Sequence, residues 1–182
     1  MRLVCSVCLV LYQLREVYLT NNKLSGSLGP LAGCLNLRDL VLDGNLLTGG
    51  LQPLQNCTAL TALYLRHNTF TGSLEPLAAL QNLQKLYLTH NKLQGTLEPL
   101  KGCSAALKEL YLADNRLTGG LEPLQLCTGL RMLHLYDNQC TGGLKPLRSC
   151  TALQELFTAN NNLTASEEDK AHFDQQCELS CL

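Results

Sequence analysis

The feature that most constrains this chain is a repeat of 23 residues that runs through most of its length. Seven asparagines recur at spacings of 23, 23, 23, 24, 23 and 23 residues. They are Asn22, Asn45, Asn68, Asn91, Asn115, Asn138 and Asn161. All six prolines occupy one further column of the same period. A fixed period of this length indicates a solenoid, in which each unit buries its apolar face only against its neighbours.

Every unit places its leucines at the same positions around the asparagine. In the fifth unit these are Leu107, Leu110 and Leu112 before Asn115, and Leu117 after it. The pattern resembles the leucine-rich repeat family, and the Thr-Gly-x-Leu segment is similar to the plant-type subclass. A shortened Pro-Leu-x-x-Cys half leaves the subclass open. The resemblance implies an α/β solenoid, a right-handed superhelix with a parallel β-sheet on its concave face and short helical or turn segments on its convex face.

Elementary stereochemistry agrees with this expectation. In the run Leu110-Tyr111-Leu112, alternate side chains point to opposite faces, so two leucines face inward and the tyrosine faces out. A glycine column permits sharp backbone bends, and the proline column suits the first turn of a short helical segment. Seven such strands, about 4.8 Å apart, form one continuous ribbon.

The ends of the array differ from its middle and divide the chain into three parts. Residues 1–13 read as an N-terminal cap or degenerate partial repeat, residues 14–163 as seven repeats, and residues 164–182 as a C-terminal capping helix. Ser166 and the acids that follow it are typical of a helix N-terminus. Ala171, Phe173 and Cys177 are then expected to cover the last coil, which would otherwise expose leucine, with Leu179 as a further candidate.

The charge balance and the motif content exclude several classes of function. The chain has fourteen Lys and Arg and fifteen Asp and Glu, so it lacks the net positive charge that nucleic acid or an anionic membrane surface attracts. Its longest apolar run is too short to insert across a membrane. Nucleotide-binding, hydrolase and zinc-protease motifs do not occur. We therefore expect neither an enzyme nor a cofactor, and we expect another protein as the partner.

Half of the ten cysteines share one repeat column, in which Leu80 replaces cysteine in a single unit. They are Cys34, Cys57, Cys103, Cys127 and Cys150. A column that accepts Cys or Leu indicates a small buried apolar site, so these thiols are predicted to be free. The redox states of Cys5, Cys8, Cys177 and Cys181 stay open. Reduced cysteines favour an intracellular location, whereas glycosylation sequons at Asn56 and Asn162 favour the alternative of secretion.

A row of polar residues precedes the asparagine column. It consists of Asn21, Gly44, His67, His90, Asp114, Asp137 and Asn160. Such residues can ligate a divalent metal, but parallel strands about 5 Å apart do not bring a third and fourth ligand together. The favoured interpretation is a polar turn, and we predict no metal site.

The residue between the two inward leucines of each strand is the candidate binding column. It reads Tyr18, Val41, Tyr64, Tyr87, Tyr111, His134 and Phe157. Charged neighbours flank it, namely Arg66, Lys85, Glu109 and Arg131. Tyrosine and arginine are enriched in interfaces, so we predict an adaptor or scaffold, or a subunit of a larger assembly, that binds its partner through this face. The alternative is a secreted or receptor-like ectodomain fragment that recognises a surface ligand.

Overall fold

A computed structural model describes residues 13–176 and 178–180. Within these residues the strands form two parallel sheets, one of eight strands and one of seven. The strands of the eight-stranded sheet are Glu16–Tyr18, Asp39–Val41, Ala62–Tyr64, Lys85–Tyr87, Glu109–Tyr111, Met132–His134, Glu155–Phe157 and Glu178–Ser180. They are ordered along the sheet as they are along the chain, so each coil adds one strand. The predicted repeat solenoid is confirmed.

Strand register follows directly from the repeat. Leu63 pairs with Leu86, and Leu86 pairs with Leu110, so equivalent residues of successive coils lie side by side. These leucines are fully buried. The leucine column therefore stacks into one continuous core, because a one-residue slip would turn every strand leucine towards solvent.

The return half of each of the first six coils contains a short 3-10 helix, as the proline column predicts. Within the described residues these helices are Gly29–Leu31, Gln52–Leu54, Glu75–Leu77, Glu98–Cys103, Glu122–Leu124 and Lys145–Ser149. Each has proline in its first turn. Proline fits there because the first N–H groups of a helix have no partner within the helix.

A second sheet lies between the first sheet and these helices in each coil, and the sequence did not predict it. Its strands are Ser25–Gly26, Leu46–Gly49, Thr69–Gly72, Lys92–Gly95, Arg116–Gly119, Gln139–Gly143 and Asn162–Thr164. The glycine column turns the chain at or near the end of these strands, with φ of +84° at both Gly49 and Gly72. A residue with a Cβ adopts such a backbone conformation only with strain.

The asparagine column joins one coil to the next. Asn68 donates from Nδ2 to the carbonyl of Leu42 in the preceding coil at 3.0 Å and to that of Leu65 in its own coil at 3.2 Å. Its Oδ1 accepts the backbone N–H of Leu47 at 3.0 Å. The side chain thus satisfies backbone groups that the core shields from water, so the asparagine column has a structural role.

The C-terminal helix spans Glu167–Gln176 and packs on the last coil. Ser166 Oγ accepts the N–H of Asp169 at 3.1 Å, so the predicted capping serine is confirmed. Asp169 is buried and pairs with Arg148 of the last 3-10 helix at 2.7 Å. Burial acts to raise the pKa of Asp169, but bonds from Ser166 and Arg148 outweigh it and hold this pKa below its ordinary value. Phe173 is fully buried.

The end of the chain differs from a simple capping helix. Residues 178–180 form a strand that pairs with Glu155–Phe157 and extends the eight-stranded sheet by one position. Ala171, expected to cover the core, is exposed. Sequence reasoning missed the strand because three residues carry no periodicity of their own. Residues 1–12, with Cys5 and Cys8, and also Cys177 and Cys181, lie outside the described residues.

The five cysteines of the repeat column are all buried and are free thiols, as is Cys140. Cys140 occupies the column that holds Leu93 and Leu117 in other coils. Burial raises the pKa of Cys57 to about 11 and that of Cys127 to about 12. The prediction of a small apolar site is confirmed, since both column types accept Cys or Leu in the same packed environment.

Candidate functional site

The outward side of the eight-stranded sheet, which we name the strand face, carries a continuous row of rings. This aromatic row consists of Tyr64, Tyr87, Tyr111, His134 and Phe157, one from each of five consecutive strands. Successive ring centroids are 4.4, 4.4, 4.1 and 4.5 Å apart. Three of the four contacts are edge-to-face, the geometry that aromatic quadrupoles favour.

Because the rings stack on one another, only part of each ring is accessible to solvent. Every ring of the aromatic row is half-buried, whereas Tyr18 of the predicted column is exposed, with 60% of its surface accessible. The aromatic row is therefore not a fully exposed stripe, because each ring covers its neighbour. Val41 interrupts the column between Tyr18 and Tyr64 and leaves Tyr18 apart from the row.

Arg66 lies beside the first rings of the aromatic row. Its guanidinium carbon is 4.9 Å from the ring centroid of Tyr87 and 6.0 Å from that of Tyr64. Its Nε and Nη2 donate to Asp43 Oδ2 at 3.0 and 2.8 Å, and its backbone N–H donates to Asp43 Oδ1 at 2.7 Å. These bonds hold the cation over the rings, where cation–π attraction adds to the ion pair.

Lys85 and Glu109, both predicted to belong to the site, form an ion pair at 3.0 Å. The hydroxyl of Tyr87 donates a hydrogen bond to the carboxylate of Glu109. Burial acts to raise the pKa of Glu109, but the bonds from Tyr87 and Lys85 outweigh it and the pKa lies below its ordinary value. Burial and the bond to Glu109 raise the pKa of Tyr87. Arg131 is exposed beyond this network and also lowers the pKa of Glu109.

His134 occupies one position of the aromatic row and is bonded to Glu155 at 3.0 Å. Burial lowers its pKa, and the carboxylate offsets part of that effect. Glu155 was not among the predicted site residues, nor was Asp43. The signal that could have found them is the register, because residues 21 to 23 apart lie on adjacent strands of the same face.

The polar row before the asparagine column has a backbone explanation. Asn21, His67, His90, Asp114, Asp137 and Asn160 all have φ between 52° and 56°, and Gly44 has φ of 66°. Asn, Asp, His and Gly are the residues enriched in this left-handed conformation. The rings of His67 and His90 stack at 4.4 Å, and His90 pairs with Asp114 at 3.1 Å. Within the part of the chain that the structure describes, no three metal-ligating side chains cluster.

The coil geometry, the asparagine column and the inward leucines together define a leucine-rich repeat protein, and this chain is one. A family model for leucine-rich repeats, built on two copies, matches residues 58–102 and 81–125. Among curated protein sequences, none matches the chain.

Solved structures resemble the chain over most of its length. A TDR receptor shares 26% identity at a TM-score of 0.82, covering 89% of this chain and 29% of that one. The Arabidopsis receptor kinase HAESA, in complex with the peptide hormone IDA and the co-receptor SERK1, shares 29% identity at a TM-score of 0.76, covering 82% and 26%. A leucine-rich repeat protein of Leptospira interrogans, with 22% identity and a TM-score of 0.75 over 92% and 49%, is similar in fold alone.

The chain therefore spans less than half the length of each of these three structures. Among the described residues, no helix has the length and apolar character needed to cross a membrane.

Proposed function

We propose that this protein is a non-catalytic binding module whose strand face binds a protein or peptide partner. The observation that carries the proposal is the aromatic row, a continuous strip of half-buried rings across five strands. Rings already held by their neighbours lose little conformational freedom on binding, and tyrosine and arginine dominate the energetics of interfaces. The cation of Arg66, fixed over two of the rings, supports the same conclusion.

The predicted binding surface comprises Tyr18, Tyr64, Tyr87, Tyr111, His134, Phe157, Arg66, Lys85, Glu109 and Arg131. Its charged members differ in kind. Lys85 and Glu109 neutralise each other, so they contribute shape and hydrogen bonding more than net charge. Arg131 is exposed and has no ion pair among the described residues, which suits it to a rim contact.

Two cellular settings are compatible with such a module. An intracellular adaptor or scaffold accounts for six buried free thiols. A secreted or receptor-like ectodomain is favoured by the similarity to receptors, one of them solved with a peptide hormone. Asn56 and Asn162 of the two sequons are both exposed, which supports the second setting. A glycan released from Asn162 by an endoglycosidase, in protein purified from its source, would identify the secreted form.

The binding surface is tested by capturing the partner from native extract and then measuring its affinity for purified variants. Replacing Tyr64, Tyr87 and Tyr111 together by alanine should cost more than about 1 kcal/mol for each central ring. The matched control replaces Glu75, Glu98 and Glu122, which are exposed on the 3-10 helices, and should leave the affinity unchanged. A folded triple tyrosine variant that keeps full affinity, with loss in the glutamate variant, would contradict the proposal.

A further inference from the structure

The interruption of the aromatic row leaves a depression on the strand face. Val41 stands where other coils carry a ring, and Ala62 stands where neighbouring strands carry Asp39 and Lys85. Two small side chains therefore form the floor of a depression of about 430 Å³. Its volume is within the range of roughly 300–1,000 Å³ that ligand pockets occupy.

The walls of this depression are Tyr18 and Tyr64, on the strands that flank Val41. Strands in a sheet are about 4.8 Å apart, so a flat group over Val41 would lie about 4.8 Å from each ring. That spacing is close to the 4.1 to 4.5 Å between successive rings of the aromatic row. The gap therefore has the width of one planar group.

The electrostatics of the gap differ from those of the rest of the strand face. Asp43 is paired with Arg66, and Glu109 with Lys85. Among the described residues, by contrast, no cation lies within ion-pair distance of Asp39, which lines the gap. The hydrogen bonds that Asp39 accepts from side chains in the described part of the chain are neutral, from Thr61 at 3.0 Å and from Tyr18 at 3.3 Å.

A carboxylate offers about four acceptor positions, so Asp39 keeps free positions for a donor from a partner. Glu16, opposite Asp39 on the adjacent strand, adds a second negative charge that no cation pairs within the described residues. Lys85 also lines the gap, and its ammonium is bonded to Glu109 on the coil beyond, at 3.0 Å. The gap thus combines aromatic walls with a negative edge.

We propose that this gap is a subsite for an arginine side chain of the partner. The inference rests on the proposed function, since it names the chemistry that the strand face recognises. A guanidinium is planar, weakly hydrated and stacks on aromatic rings, and its donor fork matches a carboxylate. A phenyl ring would also fit the width, but it would leave the carboxylate of Asp39 buried beneath it without a cation.

The test uses three small probes on the whole chain, followed by NMR of the backbone amides. They are N-acetyl-arginine methylamide, its neutral citrulline analogue and its phenylalanine analogue. The arginine probe should shift the amides of Thr61, Ala62 and Tyr64. It should also bind about tenfold more tightly than the citrulline probe, because a hydrogen bond from a charged donor to a carboxylate is stronger than one from a neutral donor.

Two variants and one control locate the binding. Asp39→Asn should remove the preference for arginine over citrulline. Val41→Tyr fills the gap with the residue that other coils use at that position, so it preserves the coil and should abolish these shifts. Glu75→Gln, on an exposed residue of a 3-10 helix, should change neither result.

Equal binding of arginine and citrulline, tighter binding of phenylalanine, or binding that persists in Val41→Tyr would each overturn the arginine subsite. The proposed function fails separately. It is refuted if a folded triple tyrosine variant keeps full affinity for the partner while the glutamate variant loses affinity, whatever the result with the three probes. Conversely, a partner that depends on the tyrosines while the arginine probe fails would remove the subsite and leave the binding face intact.

Discussion

Replacing Asn115 by alanine should destabilise the centre of the solenoid far more than the removal of one polar side chain usually does. Nδ2 of Asn115 lies 3.0, 3.0 and 3.1 Å from the carbonyl oxygens of Leu88, Leu112 and Ala113. Its Oδ1 accepts the backbone N–H of Leu93 at 3.0 Å. An amide has two N–H groups, so three carbonyls share two donors and the side chain makes about three full hydrogen bonds.

Since each hydrogen bond contributes about 1 kcal/mol, the loss of three should lower the free energy of unfolding by about 3 kcal/mol. This loss should be at least about 1 kcal/mol, because the variant leaves the buried N–H of Leu93 without a partner, which alone costs about 1–3 kcal/mol. For a chain of this size the melting temperature should fall by roughly 6 to 12 °C. Since domains are stable by about 5–15 kcal/mol, the variant should still fold at room temperature.

Asn22 provides the matched control within the same column. It is exposed, and among the described residues its Nδ2 bonds only the carbonyls of Leu19 and Thr20 in its own coil, at 3.1 and 3.0 Å. Asn22→Ala should change the free energy of unfolding by no more than about 0.5 kcal/mol. Urea unfolding followed by far-ultraviolet circular dichroism measures both. If Asn115→Ala costs less than about 1 kcal/mol, or no more than the control, the column does not hold the coils together as described.

Three further outcomes are expected. Truncation after Thr164 should expose the last coil and cause association, and a monomeric product with unchanged melting in light scattering would contradict the cap. Because the pKa of Asp169 is lowered on folding, its pairing with Arg148 should stabilise the cap above about pH 4, and this stabilisation should be lost as the pH falls further. In Asp169→Asn, the melting temperature should therefore fall less steeply with pH below about pH 4. Cys57 and Cys127, buried with raised pKa values, should resist a thiol reagent until urea unfolds the chain, as mass spectrometry of labelled peptides would show.

Much of the fold was predictable because each structural rule appears seven times. A single Leu-x-Leu run is ambiguous between strand and buried helix, but seven of them at one period are not. The positive φ of His67 and Asp114 shows the same logic, since the mix of His, Asp, Asn and Gly in that row follows from one backbone conformation. The polar row that resembled a set of metal ligands is a row of turns.

The candidate site was predictable only in outline. Alternation along each strand placed Tyr64, Tyr87 and Tyr111 on one face. It did not show that they bury one another, nor that Glu109 is shared between Lys85 and Tyr87. Such pairings depend on side-chain rotamers across strands, and different rotamers would have been compatible with the same sequence.

The sequence by itself determined the coil, the inward leucines and the capping serine, because period, burial and local hydrogen bonding are properties of a few neighbouring residues repeated along the chain. Only the tertiary structure decided which charges neutralise each other. It leaves Asp39 beside a gap over Val41, and it joins Asp169 to Arg148 across the cap. These contacts are between residues that the solenoid brings together from different coils, and their energies depend on distances that no local pattern encodes.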